Sequence, residues 1–234
     1  MVTFNGARKL QTWLNERGAN LVVDGRFGPK SRAALLGVFR NTNAPAVTDA
    51  DIAALARRLG CTTRQIRAVA KVESGGSGWD KTGLLACLWE RHWLWRRVKL
   101  KVPGLSDPTP GDYTMDANRN GINDSWEKLA RGVSLFGEVA FECASFGKFQ
   151  IMGGHWKALG YDSPLDFAWR LSRDEAAHYD AFARYIEANG LLNALRRVSG
   201  NPDACRGFAK AYNGAAYYKL NYHGKIAQAY RRLG

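Results

Sequence analysis

Apolar residues recur at three- and four-residue spacing along most of this chain, and each run is closed by Gly, Pro or a capping side chain. That pattern commits the bulk of the polypeptide to short amphipathic helices. Leu10, Trp13 and Leu14 predict a helix over residues 7–18, with Gly18 placed to end it. The pairs Asp24-Gly25 and Gly28-Pro29 predict turns before a second helix over 31–39. A unit of about forty residues buries too little apolar surface to be secure alone, so it is expected to lean on the rest of the protein. Residues 41–47 lack periodicity and contain Pro45, which marks a linker, and Thr48-Asp49-Ala50-Asp51 reads as an N-cap with an acidic first turn. Helices follow over 48–60 and 62–73, the second stopped by Gly75-Gly76, and then over 126–136, 164–189, 191–198, 203–212 and 217–233. Residues 84–89 form a short apolar run that reads as strand, and 103–111 read as loop. The fold class is therefore mainly α, as a small N-terminal helical module over 1–43 and a larger domain over 44–234.

With 234 residues, 46% hydrophobic and 24% charged, the chain has ordinary globular composition, which excludes disorder, a collagen-like repeat and a coiled coil. Lys and Arg number 34 against 21 Asp and Glu, so the surface should be drawn to nucleic acid, anionic lipid or an acidic cell envelope. No apolar run reaches the length that would span a bilayer, and the opening Met1-Val2-Thr3-Phe4-Asn5-Gly6 lacks an export signal, so synthesis in a cytoplasm is expected. Cys61, Cys87, Cys143 and Cys205 lie far apart without a C-x-x-C pair and are expected to be reduced, mostly buried thiols.

Ile66, Val69, Ala70 and Glu73 stand at i, i+3, i+4 and i+7, so a carboxylate shares the face that the apolar residues bury. Burial and the negative end of the helix dipole would raise its pKa toward that of a general acid. The bland alternative is a Glu at a frayed helix end, pairing with Arg67 or Lys71. Glu90 follows the apolar run and precedes Arg91-His92, beside Trp89, Trp93 and Trp95. It reads either as a salt bridge to Arg91 or as the second carboxylate that glycoside hydrolysis requires. Two further segments combine small and polar residues: Ala144-Ser145-Phe146-Gly147-Lys148-Phe149-Gln150-Ile151-Met152-Gly153-Gly154 and Ala211-Tyr212-Asn213-Gly214. There Gln150 and Asn213 could bond hydroxyl or N-acetyl groups, or the segments could be tight helix junctions.

The order Glu73-Ser74-Gly75, then 145–152, then 211–214 resembles the signature of lysozyme-like muramidases and lytic transglycosylases of the goose-lysozyme type. Leu88-Trp89-Glu90-Arg91-His92-Trp93, the Ile151-Met152-Gly153 ending and the spacing from Tyr212-Asn213-Gly214 to Asn221-Tyr222 are similar to the N-acetylmuramidase family of modular phage endolysins. The resemblance covers residues 48–233 and departs from the family at Phe146, where a tryptophan is common. It implies an α+β lysozyme-like catalytic domain with a small β-hairpin region, cutting the β-1,4 bond from N-acetylmuramic acid to N-acetylglucosamine, with no cofactor required for the chemistry. It implies Glu73 and Glu90 as catalytic residues and Ser145, Gln150, Tyr212 and Asn213 as substrate-binding ones. Asp24-Gly25-Arg26-Phe27-Gly28-Pro29 after Leu10-Gln11 resembles the core of a peptidoglycan-binding module, for wall binding or as a strut.

The implied partner is bacterial peptidoglycan, met as a monomer in the periplasm after release by a membrane-permeabilising partner. The aromatic and basic segment 217–233 adds an expected contact with anionic outer-membrane lipid. A lytic transglycosylase leaving 1,6-anhydro ends is the runner-up, and a non-catalytic wall- or nucleic-acid-binding protein the third reading. Specific nucleic-acid binding is disfavoured because helix 31–39 and its end offer only Arg32 and Arg40. Finally, residues 116–127 fit the calcium-loop pattern D-x-[DN]-x-[DN]-G-x5-E, with Asp116, Asn118, Asn120, the Ile122 carbonyl, Asp124 and Glu127 as ligands of a structural calcium ion. A polar loop rich in turn formers is the alternative.

Overall fold

The computed structural model describes residues 6–74 and 76–233. Most of the opening segment, and Gly75 of the expected helix stop, lie outside the described residues.

In chain order the elements are α1 (Ala7–Asn15), α2 (Pro29–Phe39), α3 (Asp49–Leu59), α4 (Thr63–Glu73), β1 (Cys87–Trp89), α5 (Arg91–Val98), α6 (Asp124–Phe136), α7 (Val139–Glu142), β2 (Ala144–Phe146) and β3 (Ile151–Met152). A 3-10 turn over Gly153–His155 leads to α8 (Pro164–Leu171), α9 (Glu175–Ala188), α10 (Leu192–Arg196) and α11 (Pro202–Asn213). A second 3-10 turn, Ala215–Tyr218, precedes α12 (Tyr222–Arg232). The three strands form one antiparallel sheet in the order β1-β2-β3, with Leu88 opposite Ser145 and Ser145 opposite Met152.

Local chemistry sets most boundaries. Thr48 and Thr62 each close a capping box, with Asp51 and Gln65 respectively, which satisfies backbone donors that the first turn would otherwise leave bare. The periodicity over 164–189 predicts one helix, but the structure has two. Asp174 is extended and its side chain accepts the Ala177 amide at 2.7 Å, so it starts α9 instead of continuing α8. Likewise the helix expected from residue 217 begins at Tyr222, because Asn221 takes a left-handed conformation at φ 52°. Helix α5 was not legible from periodicity, since Leu94 is its one fully buried side chain.

The chain forms two compact units, one of Met1–Ala44 with Trp79–Arg173 and the other of Pro45–Gly78 with Asp174–Gly234. In the first, Phe39 at the end of α2 is fully buried, with ring centroids 5.2 Å from Trp126 and 5.6 Å from Phe141. Trp13 of α1 meets Trp169 edge-on at 5.4 Å. The first two helices thus lean on this unit's aromatic core, as their small size requires. Trp126 and Trp89 are buried because each indole N–H has a carbonyl partner, Leu85 at 2.7 Å and Leu105 at 2.9 Å. At Gly153 a β-carbon would stand 2.0 Å from the Phe141 carbonyl oxygen, so only glycine lets β3 turn there.

In the second unit α4 packs against α12, and Arg64 donates to the Tyr230 carbonyl at 2.8 Å. Ile66, Val69 and Ala70 are buried on α4 as their spacing predicts. Gln65, also buried, donates to the Arg196 and Val198 carbonyls and ties α4 to the end of α10. The four cysteines are free thiols, three of them buried.

Candidate active site

In the second unit, α4 delivers Glu73 at its last turn and α11 delivers Tyr212 and Asn213 at its own last turn. The Asn213 amide donates to Glu73 Oε1 at 2.8 Å. Burial pushes the Glu73 carboxyl up to about 7, against smaller opposing pulls from the Asn213 hydrogen bond and the positive charge of Lys225. Arg67, the partner in the alternative reading of Glu73, reaches Asp49 at 2.6 Å instead. Tyr212 stacks on Phe208 at 5.5 Å and packs against Phe182 and Tyr185, forming an aromatic wall whose own hydroxyl is held well above its ordinary range by burial. Near neutral pH this carboxyl carries a proton on an appreciable fraction of molecules. With Oε1 accepting from Asn213, Oε2 is the oxygen left to hold that proton and give it away.

In the first unit, Glu90 is the N-cap of α5 and its amide is fixed to the Cys143 carbonyl at 2.9 Å. The Tyr113 hydroxyl donates to Glu90 Oε2 at 3.0 Å, and His92 Nδ1 lies 3.2 Å from the same oxygen without a hydrogen bond. Arg91 does not pair with Glu90, since it donates to the carbonyls of Thr109 and Pro110 instead. On β2, Ser145 is buried and its hydroxyl donates across the β2–β3 turn to Gln150 Oε1 at 2.8 Å, while Gln150 Nε2 donates to the Gly147 carbonyl at 2.8 Å. Gln150 is left-handed at φ 48° and exposed, braced by these two bonds. Glu73, Tyr212 and Asn213 therefore belong to one unit, and Glu90, Ser145 and Gln150 to the other. Tyr113 and Lys225 were missed from the sequence, because neither stands at a spacing that announces contact with a carboxylate.

The 116–127 loop, expected to hold a structural calcium ion, is closed by hydrogen bonds among its own residues. Asp116 accepts the Asn120 and Gly121 amides at 3.0 and 3.1 Å, and Asp124 is buried with its oxygens taken by the Ala117 amide and the Thr114 hydroxyl. Asn118 and Asn120 turn their amide nitrogens, not their oxygens, toward Glu127, at 3.0 and 2.6 Å, while the Ile122 amide donates to Asn120 Oδ1. Among the described residues no three His, Cys, Asp or Glu side chains gather as a metal site.

The sequence profile of the N-acetylmuramidase family, Muramidase, matches residues 62–234. The crystal structure of the Burkholderia AP3 phage endolysin is similar to this one at a TM-score of 0.72 and 31% sequence identity, covering 98% of this chain and 95% of that chain. No curated protein matches the chain.

Proposed function

This chain belongs to the N-acetylmuramidase family and is a peptidoglycan hydrolase of the phage-endolysin kind, and we propose that Glu73 is its general acid. The observation that carries this assignment is a carboxyl raised to about 7 by burial and held by Asn213. Protonation of the glycosidic oxygen by Glu73 lets the C–O bond break as positive charge develops on the muramyl ring, and water completes the hydrolysis. The amide of Asn213 then steadies the carboxylate that the transfer leaves behind.

Glu90, held by the Tyr113 hydroxyl, is the second carboxylate of this reading, in the role of charge stabiliser or water-activating base. Tyr212 supplies the apolar wall that keeps Glu73 protonated, and Asn213 meets the substrate as well as the acid. Ser145 and Gln150 brace a turn whose exposed Gln150 side chain meets sugar hydroxyls. Residues 1–43 act as a wall-binding module, and residues 44–234 as the catalytic domain. As an endolysin the enzyme is made in the host cytoplasm, released with the help of a membrane-permeabilising partner, and works as a monomer in the periplasm. Anionic outer-membrane lipid is a secondary contact for its basic C-terminal helix.

Mass spectrometry of digested peptidoglycan tests the chemistry. Reducing muramic ends are expected, and 1,6-anhydro ends, lighter by one water, would overturn hydrolysis in favour of transglycosylation.

A further inference from the structure

A groove of about 420 Å³ runs between α4 and α12 in the second unit, lined by Lys71, Val72, Lys225, Gln228, Ala229, Arg232 and Leu233. Its lining combines the apolar Val72, Ala229 and Leu233 with three cations, Lys71, Lys225 and Arg232, and holds no acidic side chain. Lys71 and Arg232 make no ion pair among the described residues. Arg64 in the first turn of α4 bonds the Tyr230 carbonyl in the last turn of α12, and Lys225 in the first turn of α12 acts on Glu73 in the last turn of α4, so the two helices run antiparallel. The Lys225 end of the groove therefore lies at the Glu73 end of α4, where the Lys225 charge acts on the Glu73 carboxyl. From Lys225 the groove follows α12 for seven residues to Arg232, two turns on one face, or about 10 Å.

We propose that this groove seats the acidic peptide stem of peptidoglycan, the lactyl-linked peptide carried by the muramyl residue whose bond is cut. The proposal rests on Glu73 as the site of cleavage. On that reading, a muramyl unit held at Glu73 directs its lactyl group toward Lys225, whose charge already acts on the Glu73 carboxyl. An extended peptide of about three residues spans 10 Å, which matches the run to Arg232. Stem peptides alternate free carboxylates with small apolar side chains, which complements a lining that mixes three cations with Val, Ala and Leu. The groove is then a specificity element, holding substrate by charge along its length while the proton transfer takes place at one end.

The test uses the full-length Lys71→Gln, Arg232→Gln double variant, whose altered residues have no part in the proton transfer. Two substrates are compared: soluble glycan strands that carry stems, and the same strands stripped of them by an amidase. The variant should lose about three- to tenfold in kcat/KM on stem-bearing strands at low salt, with the loss shrinking as salt rises, and should match the wild type on stripped strands. Separately, a free lactyl-tetrapeptide titrated into ¹⁵N-labelled wild-type protein should shift amides of α4 and α12, and the double variant should bind it more weakly. Equal losses on both substrates, no loss on either, or peptide shifts confined to other helices would overturn the proposal. So would a variant that loses only its binding to anionic phospholipid vesicles, which would make the groove a lipid site. If the wild type released no muramic ends from any substrate, the muramidase reading would fail, while the peptide titration would still report on the groove.

Discussion

Replacing Glu73 by Gln should remove activity and, above neutral pH, make the protein more stable. Burial moves the carboxyl from 4.5 to about 7. Between those two values the unfolded chain has already lost the proton that the folded protein keeps, so unfolding releases a proton and stability falls as pH rises. The contribution is whole below pH 4.5 and is lost as pH passes through 7. At 1.36 kcal/mol per pH unit the full move corresponds to about 3 kcal/mol, and because Glu73 is only partly buried, solvent screening reduces the expected effect to about 2 kcal/mol. Glutamine has no proton to lose. The variant should therefore hold a constant offset from the wild type below pH 4.5 and gain about 2 kcal/mol relative to that offset above pH 7. In a chain of this size that is a rise in Tm of about 4–8 °C. Thermal melts of both proteins at pH 4, 6 and 8, run beside a reducing-end assay, would show it. Activity should fall by at least about a hundredfold, the usual scale for losing a general acid. A stability difference that does not change with pH, or a variant keeping more than a few per cent of activity, would refute both the buried acid and its role.

Asn213→Ala removes a donor to the carboxylate and should shift the alkaline limb of the pH–rate profile upward by about half to one pH unit; an unmoved or lowered limb would count against the Asn213 bond as the restraint on Glu73. Glu90→Gln should lower kcat by about ten- to a hundredfold while leaving the melting temperature nearly unchanged. Wild-type activity in that variant would reduce Glu90 to a cap of α5. Arg26→Ala with Lys30→Ala, on an exposed rim of the N-terminal module, should weaken co-sedimentation with purified peptidoglycan and spare cleavage of a short soluble oligosaccharide. Losses on both substrates would make residues 1–43 a strut. Calcium should raise the melting temperature of the wild type over that in EDTA by ordering the 116–127 loop, and an Asp116→Ala, Glu127→Ala double variant should lose the difference; equal melting temperatures for the wild type would reject the calcium site.

Much of this protein is decided locally and was legible in the sequence. The helices follow from spacing and caps that act within four residues, as at Thr48 with Asp51 and Thr62 with Gln65. The place of Glu73 on a buried helix face follows from the same 3.6-residue period. What tertiary structure decided is the company each group keeps. Asn213 reaches Glu73 across 140 positions, and Tyr113 reaches Glu90 across 23, contacts that no local pattern encodes. The break between α8 and α9 turned on whether Asp174 would cap or continue a helix, two uses of one side chain that periodicity does not separate. The 116–127 loop is the clearest case. Its residue order satisfies a calcium pattern, but which donors meet its carboxylates, the Asn120 and Gly121 amides at Asp116 and the Asn118 and Asn120 side chains at Glu127, is set by the folded loop.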